Sequence, residues 1–193
     1  LEISVTLSLD VDGAGDGAVA IPAKLFSEIV RELPDVPLNF ATEAGDKVIL
    51  STEKGEYKIA AQPKEDFPKI SVEQSELEFE LDGVLLSRIT NKTIFAVSSD
   101  ELRPALTGIL MELMPNEIRF VGTDGHRLSR ITSSKFKAPD ETQHNLIVPT
   151  KALNLMLKNL KEDESVAVKV GEDHIVFTLE NSVIYSNNKE LNS

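Results

Sequence analysis

Val148-Pro149-Thr150-Lys151-Ala152-Leu153 opens an apolar-periodic stretch that decides how the chain is to be read, because it repeats an earlier one. Ile21-Pro22-Ala23-Lys24-Leu25-Phe26 begins the same pattern 127 positions before it. Phe26, Ile29, Val30 and Leu33 then fall opposite Leu153, Met156, Leu157 and Leu160 at that offset. Solenoids repeat one short unit every ~20–50 residues, and this offset is far longer. It fits two related domains in tandem, each placing an equivalent helix, a way to present one chemical face several times.

Working outward, residues 22–33 are predicted to be helical, with Pro22 at the first position, where its missing N–H costs nothing, and Leu33-Pro34 ending the run. Upstream, Leu1, Ile3, Val5, Leu7 and Leu9 alternate with Glu2, Ser4, Thr6 and Ser8, a half-buried strand already under way at residue 1. The chain is therefore expected to begin inside a domain. Asp10 to Gly17 superficially resembles a calcium loop, but Ala14 stands at the third ligand position and Ile21 where the bidentate Glu belongs. It is read as a hairpin loop. Short strands follow at 36–40, 47–51 and 56–60, separated by Gly45-Asp46 and Lys54-Gly55 turns.

Pro63 to Pro68 interrupts the pattern and reads as a domain junction. Leu77, Phe79 and Leu81 then start a strand with Glu76, Glu78 and Glu80 outward, and Asp82 is placed to cap a helix over 83–90 built on Leu85, Leu86 and Ile89. Strands are predicted at 95–97, 106–113, 117–121 and 128–132, the last two pairing across Thr123-Asp124-Gly125-His126. A strand at 145–148 leads into the second copy of the helix, over 150–161, and strands at 165–170, 174–179 and 182–186 follow. The expected fold class is α+β: repeated strand–helix–three-strand units with helices packed on antiparallel sheets. About one unit lies in residues 1–72 and two lie in 73–193.

The 193 residues, 41% of them hydrophobic, with a mean hydropathy of −0.11, describe a globular chain. No apolar run approaches the ~20 residues of a membrane-spanning helix, and no signal peptide is visible. Cysteine is absent, which removes disulfides, thiolate nucleophiles and Cys-based zinc sites together. A cytoplasmic setting without membrane, metal or cofactor is the expectation.

A net charge of −12 argues by itself against a nucleic-acid binder, but the sum hides where the charges lie. Lys151, Asn154, Lys158 and Lys161 follow helical spacing and share one face, and no acidic residue occurs between Pro149 and Lys161. The helix at 22–33 repeats this weakly, with Lys24, Ser27 and Arg31 interrupted by Glu28 and Glu32; Arg88 and Lys92 make a third, smaller instance. A merely solvated helix face is the competing reading, and three basic faces on so acidic a chain weaken it. With no Trp and two Tyr there is no base-stacking platform, so any nucleic-acid contact would be to phosphate: salt-sensitive and indifferent to sequence.

Gly122-Thr123-Asp124-Gly125-His126-Arg127-Leu128 is the segment dense enough to suggest chemistry. Asp-Gly permits a tight turn. As an enzyme site it is poor, because an Asp–His pair needs a nucleophile, a metal or a second carboxylate, and no motif supplies one. A small hydrolase using Asp124 and His126 stays open as an alternative, as does a non-catalytic structural module.

Thr123-Asp124-Gly125-His126-Arg127-Leu128 resembles the signature of the bacterial sliding clamps, the β subunits of DNA polymerase III. Ile21-Pro22-Ala23-Lys24 and Val148-Pro149-Thr150-Lys151 are similar to the openings of that family's inner helices. Glu65-Asp66-Phe67-Pro68 is similar to its first interdomain junction, and residues 102–110 to the strand before the signature. The resemblance runs from about residue 1 to Tyr185. It implies the DNA-clamp fold, three domains per chain closed head to tail into a homodimeric ring, with residues 1–72 the rear half of the first domain and 73–193 most of the second.

The function so implied is that of a non-catalytic processivity factor for DNA replication, encircling double-stranded DNA without sequence specificity. Lys24, Arg88, Lys151, Lys158 and Lys161 would line the hole. Arg103, Leu106, Thr123, Gly125, His126, Arg127 and Leu128 would wall a pocket for short Gln-Leu-x-Leu/Phe-like peptides of the replicative polymerase and clamp-loader subunits. Positions 100, 104 and 105 also lie near DNA in related clamps, but Asp100, Pro104 and Ala105 carry no basic or aromatic group here, and that role is not transferred. The family continues past Tyr185-Ser186 with a basic, Pro-containing segment, where this chain has Asn187 to Ser193. The expectation is a partial chain, which alone would not close a ring or complete the pocket.

Overall fold

A computed structural model describes residues 3–13, 15–43, 47–68, 75, 77–141 and 143–190, the last two in their backbone only. In chain order the elements are β1 (Ile3–Leu7), β2 (Val19–Ala20), α1 (Ala23–Glu32), β3 (Asn39–Glu43), β4 (Lys47–Thr52), β5 (Gly55–Ala60) and β6 (Gln62–Pro63). Then come β7 (Leu77–Asp82), α2 (Gly83–Asn91), β8 (Gly108–Met114), β9 (Glu117–Thr123), β10 (Leu128–Ser133) and β11 (His144–Pro149). The chain continues through α3 (Thr150–Asn159), β12 (Ser165–Val170), β13 (His174–Thr178), β14 (Ser182–Asn187) and β15 (Lys189–Glu190). Contacts divide it into two compact units: Leu1–Leu9 with Ser71–Ser193, and Asp10–Ile70.

In the larger unit two five-stranded sheets run in the orders β1-β14-β13-β12-β7 and β10-β9-β8-β11-β15, with antiparallel pairing throughout. The two strand–helix–three-strand runs are present, but they exchange leading strands. β7 pairs with β12 of the second run, Leu81 opposite Val166 and Phe79 opposite Val168. β11 pairs with β8 of the first, Leu146 opposite Met111. The exchange gathers both runs around a single core, with Leu86 and Ile89 of α2, Leu153 and Met156 of α3, Phe120 of β9 and Phe177 of β13 all buried in one cluster. Each such side chain contributes about 1.5–3 kcal/mol by leaving water.

The first-turn donor of α2 is satisfied as its sequence suggests, since the Leu85 amide donates to Asp82 Oδ1 at 2.7 Å. Gly83 begins the helix against the loop after α3: its N–H donates to the Glu164 carbonyl at 2.9 Å, and a Cβ there would run into that oxygen and into Leu160. The helical glycine thus marks a close approach, not a flexible point.

The structure departs from the sequence reading in several places. Residues 3–9 belong to the larger unit, because β1 adds to the free edge of β14, Val5 opposite Ile184. The hairpin expected across Asp10–Gly17 does not form, because β1 pairs with β14 and β2 with β6, not with each other; Ala14 lies outside the described residues. The expected strand at 95–97 is a 3-10 turn over Ile94–Ala96. Thr93 is buried and its hydroxyl bonds back to the Ile89 carbonyl at 2.8 Å, which continues the helical winding past α2. The strand expected from Leu106 starts at Gly108, because Pro104–Leu106 makes another 3-10 turn; a proline there has no N–H for a ladder. β15 was not anticipated.

In the smaller unit, β3, β4 and β5 form a meander on which α1 lies, with Val48, Leu50 and Ile59 buried against the half-buried Phe26 and Ile29. The strand expected at 36–40 is shifted to Asn39–Glu43. Pro22 directly precedes α1 and does not occupy its first position, and no residue of the helix is fully buried. The Gly45-Asp46 turn lies outside the described residues.

Candidate nucleic-acid and peptide interfaces

The helix whose periodicity opened the reading divides its faces as expected. Ala152, Leu153 and Met156 are buried, and Lys151, Asn154 and Lys158 are exposed. With Leu155, and with Ile3 and Val5 of β1, those three polar residues line a hollow of about 520 Å³. The strand supplies an apolar wall along which lysine stems can lie while their ammonium groups reach solvent. Among the described residues neither Lys151 nor Lys158 forms an ion pair, so both charges are available to an incoming anion.

Lys161 differs. It lies past the end of α3, where Leu160 turns to extended backbone. Its ammonium sits 2.8 Å from Glu180 Oε2, and that hydrogen bond holds its pKa above the ordinary lysine value. Its own N–H donates to Glu164 Oε2 at 3.0 Å, and Glu164 also accepts from the Glu180 amide. Lys161 is thus part of a brace between the α3 exit and the β13–β14 turn. Arg88 is exposed on α2. Lys24, on α1 of the other unit, stands 4.0 Å from Glu28 with both side chains largely exposed, a pairing worth little in water.

The Thr123–Leu128 turn is built from its own side chains. Asp124 Oδ1 accepts from the amides of His126 and Arg127, each at 2.9 Å, and Oδ2 accepts from Arg127 Nε at 3.0 Å. The Arg127 amide bond, then that of His126, and then the Arg127 charge hold the Asp124 carboxyl below its ordinary pKa. Thr123 Oγ1 donates to the Arg127 carbonyl at 2.7 Å and accepts from the Gly125 amide at 3.1 Å. Gly125 turns the chain at φ +90°, a region open to glycine at no steric cost.

Both Asp124 oxygens are therefore engaged in the turn, and the carboxylate meets the His126 backbone, not its imidazole. The small-hydrolase alternative falls on this geometry: the paired acid and base it requires are not a pair. Among the described residues no group of three metal-ligating side chains occurs either.

A second braced loop lies beside the turn. Asp100 accepts from the Leu102 amide at 3.0 Å and from Arg103 Nε at 2.9 Å, and Ser98 N–H donates to the Leu106 carbonyl at 2.8 Å. The Arg103 guanidinium comes within 3.6 Å of where a Cβ on Gly125 would stand. Arg103, Thr123, Gly125 and Arg127 are thus brought to one place by loops 98–107 and 123–128. Leu106 is half-buried in the first loop, and Leu128 is 66% exposed at the start of β10.

Two groups were missed from the sequence. β1 beside α3 left no local signal, since their proximity passes through β14. Phe95 did leave one: an aromatic in a chain with few, 58% exposed and lying under the Arg127 guanidinium.

Residues 80–189 match the family model of the DNA polymerase III beta subunit, central domain, and residues 1–71 match that of its N-terminal domain. The beta sliding clamp of Haemophilus influenzae is 31% identical over 189 residues, covering 96% of this chain and 51% of that protein. That of Chlamydia pneumoniae is 29% identical over 168 residues, 87% of this chain and 46% of that one. Among solved structures, a DNA polymerase sliding clamp from Pseudomonas aeruginosa with ligand superposes with a TM-score of 0.90 at 27% identity, over all of this chain and 53% of that one. A putative DNA polymerase III beta subunit from Eubacterium rectale gives 0.87 at 30% identity, over all of this chain and 52% of its own. The chain spans about half the length of the curated relatives it matches. With two successive domain models matched in order and the fold shared from end to end, the chain belongs to the DNA polymerase III beta subunit family, the bacterial sliding clamps.

Proposed function

We propose that this chain is the working middle of a DNA polymerase processivity factor, a ring that surrounds duplex DNA and tethers the polymerase without catalysing any reaction itself. In this reading residues 1–72 belong by sequence to the first clamp domain, although their strand β1 joins the sheet of the larger unit, and 73–193 belong to the second; the full-length protein is a homodimer acting in the cytoplasm. Lys24, Arg88, Lys151 and Lys158 face the phosphate backbone, and Lys161, already paired with Glu180, contributes least. The observation that carries the reading is the pair Lys151 and Lys158, exposed on one face of α3 and without an ion pair among the described residues, in a chain of net charge −12. Exposed cations on α3 hold DNA loosely there, while the net negative charge of the chain discourages binding elsewhere. Encirclement removes the need for tight contact, so weak phosphate contacts leave the ring free to slide.

The second interface takes a partner's peptide. Arg103, Leu106, Thr123, Gly125, His126, Arg127 and Leu128 form its wall on this chain, the leucines receiving apolar side chains and the braced arginines orienting polar groups. Polymerase and clamp-loader subunits would both dock here.

The experiment is topological. The full-length protein, loaded on a nicked circular plasmid by its clamp loader, should co-elute with the DNA on gel filtration and be lost once the plasmid is cut to a linear form. Equal retention on circular and linear DNA would refute encirclement.

A further inference from the structure

Phe95 has no place in the core, yet it is firmly held. It follows α2 in the 3-10 turn Ile94–Ala96, between buried Thr93 and buried Ala96. β9 approaches this segment closely: a Cβ on Gly122 would meet the Thr93 carbonyl oxygen, and Ser129 Oγ of β10 donates to the Lys92 carbonyl. The backbone under Phe95 is thus fixed from two sides while its ring stays 58% exposed. Burying apolar surface does not account for that position.

The neighbour does. Arg127 Cζ lies 5.9 Å from the centroid of the Phe95 ring, within the range of a cation–π contact. On its other edge Arg127 Nε donates to Asp124 Oδ2 at 3.0 Å. Asp124 is in turn fixed by the two backbone amides of the turn. The guanidinium is therefore held between a carboxylate and an aromatic face, with its side chain still 59% exposed. A long, rotamer-rich cation held this way loses less conformational freedom on meeting a ligand. Arg103 is braced by Asp100 in the same manner, and among the described residues the cation–π contact belongs to Arg127.

We infer that Phe95 is a positioning residue for peptide recognition: its ring holds the Arg127 guanidinium so that the terminal nitrogens meet a carbonyl or carboxylate of the bound peptide. The inference rests on the peptide-binding reading of this surface and adds a residue to it. Phe95 acts through Arg127, not by touching the ligand.

The test is a double-mutant cycle on the full-length protein, read by fluorescence anisotropy with a fluorescein-labelled peptide of the Gln-Leu-Asp-Leu-Phe type. Phe95→Leu keeps the bulk and removes the ring, and should weaken binding about two- to fivefold, the span of an exposed cation–π contact. Phe95→Trp should bind at least as well as the parent. In an Arg127→Met background Phe95→Leu should have no further effect. The Arg127 Nε–H resonance should carry a ring-current shift that Phe95→Leu abolishes, and thermal melts check that the exposed substitution leaves the fold intact. If Arg127→Met weakens the peptide and Phe95→Leu does not, the inference is overturned while the peptide reading stands. An equal loss in both backgrounds overturns it as well, because the ring would then touch the ligand directly. If the parent binds the peptide and Arg127→Met leaves affinity unchanged, this inference alone is overturned; if the parent does not bind the peptide, the peptide reading fails and the inference falls with it.

Discussion

Replacing Lys151 and Lys158 together by glutamine should change how DNA binding depends on salt, and the structure says by how much. Each lysine that neutralises a phosphate releases about 0.9 of a counterion from duplex DNA, so losing both should flatten the slope of log K against log[salt] by about 1.8. Over a fourfold rise, from about 50 to 200 mM, that is roughly a twelvefold difference in how far affinity falls. Lys161→Gln supplies the contrast. Its ammonium is already 2.8 Å from Glu180 Oε2, so contact with a phosphate would mean leaving that carboxylate. Its slope should therefore shift by well under half the single-lysine value. The assay is anisotropy of a labelled linear duplex with full-length protein, titrated across KCl concentrations. Identical slopes for parent and double variant would refute the assignment of α3 to DNA. A Lys161→Gln effect as large as that of Lys158→Gln would refute the argument from charge pairing.

Other outcomes follow from the same geometry. Asp82→Ala removes the acceptor of the Leu85 amide and should cost about 1 kcal/mol in urea unfolding, with Asp82→Asn close to the parent. Gly122→Ala sets a methyl against the Thr93 carbonyl and should destabilise by about 1–3 kcal/mol, seen as a lower unfolding midpoint at unchanged m-value. The Asp124 pKa is depressed in the folded turn, so the stability it lends is fully present above the ordinary aspartate value near ~3.9 and fades as pH falls toward the lower folded value. Amide exchange at His126 and Arg127 should accordingly stay protected at about pH 5 and open in stronger acid, a dependence that Asp124→Asn abolishes. Protection that instead fades as the pH rises from 5 to 7 would contradict this sign.

What could be read from the chain itself was whatever depends on neighbours a few residues apart. Asp82 caps α2 because it stands three residues before Leu85, and Asp124 and Gly125 make their turn within one heptapeptide. The two faces of α3 are a matter of spacing along one helix, so Lys151, Asn154 and Lys158 emerged exposed as expected. Local reading failed at Phe95, because a 3-10 turn and a short strand can both set an apolar residue outward, and only packing on Gly122 and Ser129 distinguishes them.

Tertiary structure decided the rest. Alternation shows that β7 has one buried face, and the apolar run Leu146-Ile147-Val148 marks β11 as a strand, but neither shows which edge each will join; the exchange of leading strands is chosen by the single core it completes. The same holds for β1, whose pattern was plain and whose partner, β14, lies far along the chain. Charge followed the same division. The sequence by itself placed Lys158 and Lys161 on one helical stripe, three residues apart; folding left the first without an ion pair among the described residues and set Glu180 against the second. Helical period is a local property of the backbone, whereas the partner of a strand edge or an ammonium group is determined by whatever the rest of the chain brings to it.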